Sequence, residues 1–302
     1  MEFRPFTVEL RTRFRGLTSR SGVLIRGTGP DGAEHWGEHS PFADYDAERA
    51  GRWWTAAMEA ARGGWPEPVR EDVAVNSIVP QVDPDAARDY ATAGGATTAK
   101  VKVAGGAALA EDEARVEAVA DALGPFGALR IDVNGGWEVD EAVRAIEALE
   151  RAARRGGLAG IEYVEQPCAT VDELAELRRR IDTPIAADEA IRIPGNPDAV
   201  LAADAADVII LKAQPLGGVR RCLEIADQVE PRPIVVASAL ESSVGLAAGV
   251  ALACALPIEP LACGLGTGAL LETDTVRETL VPSGGRIGHV TFSGPDRLEV
   301  IA

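Results

Sequence analysis

Apolar and polar positions alternate with a period of two over the opening part of the chain. FTVELRTRF (6–14), GVLIRG (22–27) and AEHWGEH (33–39) are three such stretches, separated by turn formers. A period of two is what a strand with one buried face requires, so they predict a small antiparallel meander. The period then lengthens. Tyr45 to Gly63 reads as a helix that places Trp53, Trp54 and Met58 near one side, as core between this small unit and its neighbour. GGWPEP (63–68) reads as a loop.

From about Val73 the pattern changes to short apolar strands alternating with amphipathic helices. The strand candidates are VNSIV at 75, AKVKV at 99, LRIDV at 129, IEYVE at 161, PIAAD at 184, VIILK at 208, PIVVA at 233 and PIEPL at 257. Between them, Val139, Val143, Ile146 and Leu149 mark one helical face. Val171, Leu174 and Leu177 mark a second, and Val219, Leu223, Ala226 and Val229 a third. Eight strand–helix units predict a parallel barrel, and the near-continuous apolar strands fit a sheet covered on both faces. A doubly wound open sheet is the competing arrangement. The last stretch, with GRIGHVTFSG and RLEV, is expected to return as strands to the N-terminal meander. The expected division is therefore an α+β capping domain over 1–72, a barrel over 73–272 and a C-terminal segment over 273–302 that packs on the cap.

Composition narrows the function. The chain has 302 residues, 46% of them hydrophobic, and a formal net charge of −17. So acidic a chain lacks the positive surface that nucleic-acid binding needs, though local lysines or a metal ion can still draw an anionic small molecule into one pocket. No apolar run is long enough to span a bilayer and the N-terminus lacks the apolar block of a signal peptide, so a cytoplasmic location is expected. The four cysteines (168, 222, 254, 263) have no metal-binding spacing, and the three histidines (His35, His39, His289) are scattered. CGLGTG (263–268) does not match G-x-G-x-x-G, and neither a phosphate-binding P-loop nor a G-x-S-x-G elbow is present. The loop around Gly264 instead fits a place where backbone N–H groups meet a substrate anion. The sequence does not give the oligomeric state.

The polar residues at the strand ends carry the chemistry. RIDVNG puts Asp132 and Asn134 at the end of the third barrel strand, EYVEQP puts Glu165 at the end of the fourth, and IAADEA puts Asp188 at the end of the fifth. In a parallel barrel these ends converge on one mouth. Three carboxylates gathered there repel unless a cation neutralises them, and oxygen-only ligands suit Mg2+, with Mn2+ a plausible substitute. Any one of these acids could instead cap a helix, as Asp140 is placed to do. Lys100 and Lys102 share one face of the second strand, and Lys212 ends the sixth. Lysines flanking a metal suit removal of a proton next to a carboxylate: a neutral lysine takes the proton while the cations stabilise the charge that develops. ASALESSVG follows the seventh strand, and there Ser238 and Glu241 are candidates to orient a substrate carboxylate.

Lys100-Val-Lys102, Asp132-Val-Asn134, Glu165-Gln-Pro167, Asp188-Glu189 and Lys212 together resemble the enolase superfamily, in its muconate-cycloisomerase-like branch. Superfamily sites of this kind pair a Lys or His base with Mg2+. Within the branch, the short chain and SALESS resemble the o-succinylbenzoate synthases of menaquinone biosynthesis. The resemblance implies a modified (β/α)7β barrel with an α+β cap and Mg2+ on Asp132, Glu165 and Asp188. It implies Lys102 as the acid/base, Lys212 across the ring as electrostatic stabiliser and Lys100 in support. The implied reaction is a syn-dehydration, by a carbon–oxygen lyase, of 2-succinyl-6-hydroxy-2,4-cyclohexadiene-1-carboxylate. TSRSG (18–22) corresponds to a capping loop over the mouth, with Arg20 a candidate for the distal succinyl carboxylate. The same lysines also serve N-acylamino-acid racemases, dipeptide epimerases and muconate-type cycloisomerases. A barrel-shaped scaffold with its acids used as caps is the reading without catalysis.

Overall fold

The computed structural model describes the chain apart from residues 15, 107, 291, 293 and 297–302 and the side chains of 12–14. The opening alternation forms a meander of β1 (Glu2–Phe14), β2 (Leu17–Thr28) and β3 (Glu34–His39), antiparallel in that order. One face buries Phe6, Val8, Leu24 and Trp36 against Val244, Leu271 and Val276. The other buries Ile25 against Ala57 and Ala61 of α1 (Ala47–Ala61), a helix whose N-cap Asp46 accepts from the Arg49 N–H. The helix lies very close to the sheet. A Cβ on Gly37 would stand 2.0 Å from the Ala57 carbonyl oxygen, and one on Gly27 2.2 Å from that of Ala61. Of the two tryptophans read as core, Trp53 is buried, but Trp54 is 42% exposed and stacks on Phe3 at the surface. Adjacent helix positions differ by about 100°, so both cannot face inward.

β4 (Asp72–Ala74) leads into β5 (Ser77–Val79), α2 (Pro84–Ala91), β6 (Thr98–Lys102), α3 (Leu109–Leu123), β7 (Ala128–Asp132) and α4 (Val139–Arg155). There follow β8 (Tyr163–Glu165), α5 (Val171–Arg178), β9 (Ile185–Ala187), the short α6 (Glu189–Arg192) and α7 (Asp198–Ala202), and β10 (Val208–Leu211). Then come α8 (Ala213–Leu216), α9 (Val219–Val229), β11 (Ile234–Val236), α10 (Ser243–Ala255) and β12 (Arg286–Gly288). The seven strands β5 to β11 pair side by side in chain order, and all six neighbouring pairs are parallel. The sheet closes through two parallel bridges, Val75 with Cys263 and Ala237 with Gly264. It is thus a modified barrel rather than an open doubly wound sheet.

The eighth strand position is not at PIEPL. Residues 256–262 are bends and irregular backbone, with Ile258 70% exposed. Pro257 and Pro260 remove two of the N–H groups a strand there would need, and Cys263–Gly264 closes the ring instead. The strand pairing expected of the C-terminal segment is corrected as well, although Val276 and Phe292 do pack on the apolar face of the meander. Arg286–Gly288 pairs with β4 rather than with the meander, whereas the meander meets residues 271–273 through the Leu10–Leu271 bridge and the Glu272 N–H on the Glu9 carbonyl. RLEV lies outside the described residues. Thr18–Gly22 is part of β2, not a loop.

Alternation sorts the barrel residues into two sets. Val101, Ile131, Val164, Ile209 and Leu211 face the helices. Tyr163, Ala186, Val208, Ile210, Val235 and Ala237 form a separate cluster. Buried Arg130 lies over the Tyr163 ring, its Nε on Glu162 and its NH1 on Asn76 Oδ1 and the Ala262 carbonyl. Among the described residues no helix is long and apolar enough to cross a membrane.

Replacing Gly37 with alanine should lower stability by about 1–3 kcal/mol, because the helix backbone must move to admit the methyl group. A denaturant melt checks this; an unchanged midpoint would contradict the close approach.

Candidate active site

β6 turns Lys100 and Lys102 to the same side, while its neighbours Ala99 and Val101 are buried in the outer core. The register places Lys102 opposite Asp132, and Asp132 opposite Glu165. One row across three strands thus carries a lysine and two carboxylates, and Asp188 follows β9 by one residue. Lys100 Nζ lies 2.8 and 2.9 Å from the two Glu165 oxygens and 3.3 Å from Asp132 Oδ2. Lys102 Nζ is 3.6 Å from Asp132 Oδ1. On the far side, Lys212 Nζ donates to Asp188 Oδ2 at 2.7 Å, and Arg192 Nε to Asp188 Oδ1 at 3.1 Å. Arg192 also donates to Glu189 Oε1 and to the Tyr45 hydroxyl, which comes from the segment before α1. Asn134 Nδ2 reaches Glu189 Oε1 at 3.2 Å.

Burial and charge oppose one another here. Burial pushes the Glu165 carboxyl up to about 7, with Asp132 and Asp188 adding to the rise and Lys100 resisting it. Burial also works against ionised Asp132, but Lys100 and Lys102 outweigh it and hold that carboxyl below its usual range. At Asp188 burial is again outweighed, by Lys212 and Arg192. Lys100 is kept firmly charged by Asp132 and Glu165 in spite of its burial.

Among the described residues, no three His, Cys, Asp or Glu side chains stand as an assembled metal cluster, and the carboxylates are paired to lysines. The residues nonetheless fit a hard divalent cation. Asp132 Oδ1 and Glu189 Oε2 are buried oxygens that accept no hydrogen bond, Asp132, Glu165 and Asp188 are close enough to repel one another, and oxygen donors suit Mg2+ or Mn2+.

The turns after the strands are unusual. Ala104 (φ 68°), Asn134 (φ 51°) and Gln166 (φ 41°) each follow a charged strand-end residue by one or two positions in the left-handed region. Non-glycine residues stay in that region only where surroundings impose it, and such residues cluster at functional sites. Gln166 is fully buried; its Oε1 accepts from Asp188 N and Ala190 N, and its Nε2 donates to the Cys168 carbonyl. It therefore sets the entry to α6.

Of the remaining sequence candidates, Ser238 Oγ is 2.7 Å from Thr267 Oγ1. Glu241 is buried, its Oε2 accepts from Ala239 N, and Lys212 and Arg20 are within electrostatic reach. The Gly264 N–H is donated to the Val236 carbonyl. Arg20 is buried, donates to the carbonyls of Leu240 and Ser40, and lies over the Phe42 ring. Helix 139–155 takes Glu138 as its N-cap, and Asp140 pairs with Arg180 instead. Arg192 and Tyr45 went unread in the sequence, and Gln166 stood in the Glu165-Gln-Pro167 motif without an assigned role. Arg192 carried a signal, since it stands four residues after Asp188 and so one helical turn above it; Tyr45 carried none.

The sequence profile described as Enolase C-terminal domain-like matches residues 83–294, and that described as Enolase N-terminal domain-like matches 6–61. The chain is 56% identical over 286 residues to the o-succinylbenzoate synthase of Thermobifida fusca, covering 94% of this chain and 86% of that one. It is 46% identical over 296 residues to the o-succinylbenzoate synthase of Mycolicibacterium smegmatis, covering 97% and 87%. Among solved structures it resembles the L-Ala-D/L-Glu epimerase of Bacillus subtilis (TM-score 0.80, 25% identity, covering 97% and 96%). In fold it is similar to the muconate lactonizing enzyme of Pseudomonas putida (TM-score 0.76, 21% identity, covering 98% and 96%).

Replacing Gln166 with leucine should leave the Asp188 and Ala190 N–H groups without acceptors and lower stability by about 1–3 kcal/mol. A thermal melt showing no loss would remove Gln166 from this role.

Proposed function

The chain belongs to the enolase superfamily, and from that membership we propose that it is an o-succinylbenzoate synthase. The reaction is the syn-dehydration of 2-succinyl-6-hydroxy-2,4-cyclohexadiene-1-carboxylate to 2-succinylbenzoate. The observation that carries the reading is the placement of Lys102 and Lys212 on either side of Asp132, Glu165 and Asp188. Whole-chain identity to two o-succinylbenzoate synthases supports the choice of substrate.

Asp132, Glu165 and Asp188 would hold a divalent cation, Mg2+ or Mn2+. When bound, it supplies positive charge to the substrate carboxylate as that group takes up electrons. In the structure the ammonium groups of Lys102 and Lys212 sit on carboxylates that such a cation would neutralise, so its binding weakens the hold on both lysines. Once its ammonium has given a proton to solvent, Lys102, the most accessible of the three lysines at 32%, is placed as a neutral amine to take the proton from C1. The electron pair moves into the neighbouring carboxylate to give an enediolate. The pair then returns, the C6–oxygen bond breaks, and the proton on Lys102 Nζ leaves with the hydroxyl as water, so the ring becomes aromatic. A single amine acting first as base and then as acid on one face accounts for syn geometry. Lys212 stands across the mouth as fixed positive charge, and Lys100 holds Glu165 in place. Asn134, Ser238 and Glu241 are the residues we assign to the substrate, while Gly264 and Arg20, whose donors go to backbone carbonyls, would act by holding the surrounding segments.

A second reading, racemisation or epimerisation at the carbon next to a carboxylate, draws on Lys212 as a base on the opposite face. Solvent deuterium entering both enantiomers of an N-succinylamino acid would favour it.

Lys102→Ala should lose at least about a thousandfold in dehydration rate, as expected when the proton-transfer group and its charge are both removed, while still binding Mn2+. Lys212→Ala should also be crippled. An ultraviolet assay of aromatic product, with and without EDTA, reads both; full activity in Lys102→Ala would sink the mechanism.

Mn2+ titration followed by electron paramagnetic resonance should find one site per chain, weakened at least about tenfold in Asp188→Asn. Affinity should fall as pH drops through about 7, because Glu165 takes up a proton there and a protonated carboxyl is a poor ligand. Binding that ignores both changes would rule out this ligand set.

A further inference from the structure

α10 is buried along its whole length, so its first N–H groups must find acceptors inside the protein. Its own N-cap side chain, Ser242, provides none. Asp274 takes the Ser243 N–H at 3.1 Å, and the other acceptor comes from the antiparallel sheet. Glu38 of β3 takes the Ser242 N–H on Oε1 at 3.2 Å and the Gly245 N–H on Oε2 at 3.0 Å, and it also accepts from the Ser40 and Ser242 hydroxyls. A carboxylate at a helix N-terminus is further favoured by the helix dipole. Glycine at 245 is what lets it approach: a Cβ there would stand 2.7 Å from Glu38 Oε2 and 2.7 Å from the Glu241 Cβ.

The segment just before this cap is the loop that carries Ser238 and Glu241. One end is anchored by the Ser238 N–H on the Gly264 carbonyl, 3.0 Å, and the other by Glu38 on Ser242. Between the anchors, buried Leu240 is held at φ 66°, a conformation that an L side chain keeps only under constraint. Glu241 folds back to accept the Ala239 N–H at 2.8 Å. Arg20 Nε holds the Leu240 carbonyl at 3.2 Å between the two anchors, so β2 and β3 fix the loop together.

We propose that Glu38 is a positioning residue for the reaction: by capping α10 from the antiparallel sheet, it fixes the 238–241 loop in the shape that meets the substrate. Glu38 itself touches no reacting atom. For its kinetic half the inference rests on the dehydration reading; its structural half does not.

The test compares Glu38→Ala, Glu38→Gln and Gly245→Ala in the full-length protein with Mg2+. In Glu38→Ala, KM for the cyclohexadiene substrate should rise about tenfold or more, as expected from loss of hydrogen bonds to a charged acceptor, with kcat changed much less. Hydrogen–deuterium exchange should quicken at residues 239–246 and not in the rest of α10. Glu38→Gln, which keeps an acceptor oxygen, should recover most of both effects. In Gly245→Ala the added methyl group displaces the Glu38 carboxylate and presses on the Glu241 Cβ as well, so its KM and exchange should move in the same direction as those of Glu38→Ala. Wild-type KM and exchange in Glu38→Ala, or in Gly245→Ala should the first variant not fold, would overturn the proposal. If the unmodified protein does not turn over this substrate, the dehydration reading fails, and the exchange comparison alone decides for or against Glu38.

Discussion

Charge cannot be buried singly, and the mouth of this barrel is organised by that constraint. Asp132, Glu165, Asp188 and Glu189 face Lys100, Lys102, Arg192 and Lys212 in a space where Asp188 opposes the ionisation of Asp132, and both oppose that of Glu165 and Glu189. Removing one member of such a group leaves an uncompensated charge, which is far more damaging than losing a surface pair. The strands hold these groups at fixed register, so the side chains cannot move apart to lower the repulsion. Only the counter-charge can be exchanged. Ammonium groups supply it here, and a divalent cation drawn to the same oxygens would leave those ammonium groups available to a substrate.

The same logic extends outward in shells. Arg192 binds Asp188 and ends on Tyr45, which precedes α1. Gln166 holds the backbone that presents Asp188. At the head of α10 two carboxylates from opposite ends of the chain share the capping: Glu38 takes the N–H groups of Ser242 and Gly245, and Asp274 takes those of Ser243 and Thr275. A helix apolar on every side can be buried completely, but its N-terminus then needs polar partners brought from elsewhere. The antiparallel sheet and the C-terminal segment supply them.

Parts of this were legible at once. The switch of hydrophobic period near Val73 marks the passage from meander to parallel sheet, and Lys100, Lys102, Asp132, Glu165 and Asp188 declare themselves by standing at the ends of apolar strands. Other parts were misread for identifiable reasons. PIEPL is apolar enough to pass for a strand, yet its prolines and the exposure of Ile258 put it outside the sheet. Thr18–Gly22 has the composition of a loop, but it is a strand paired in register with β1, Arg20 opposite Val8.

By itself the sequence determined which residues can share a face and which strand ends carry charge, because periodicity and order along a strand are local properties of a chain with fixed geometry. Tertiary structure alone decided that Cys263–Gly264 closes the barrel, that Arg192 reaches Tyr45 across 147 positions, and that Glu38 caps a helix 204 positions away. Those pairings depend on where separate elements dock, and docking follows from packing and charge neutralisation across the whole core, of which no short stretch of sequence holds a record.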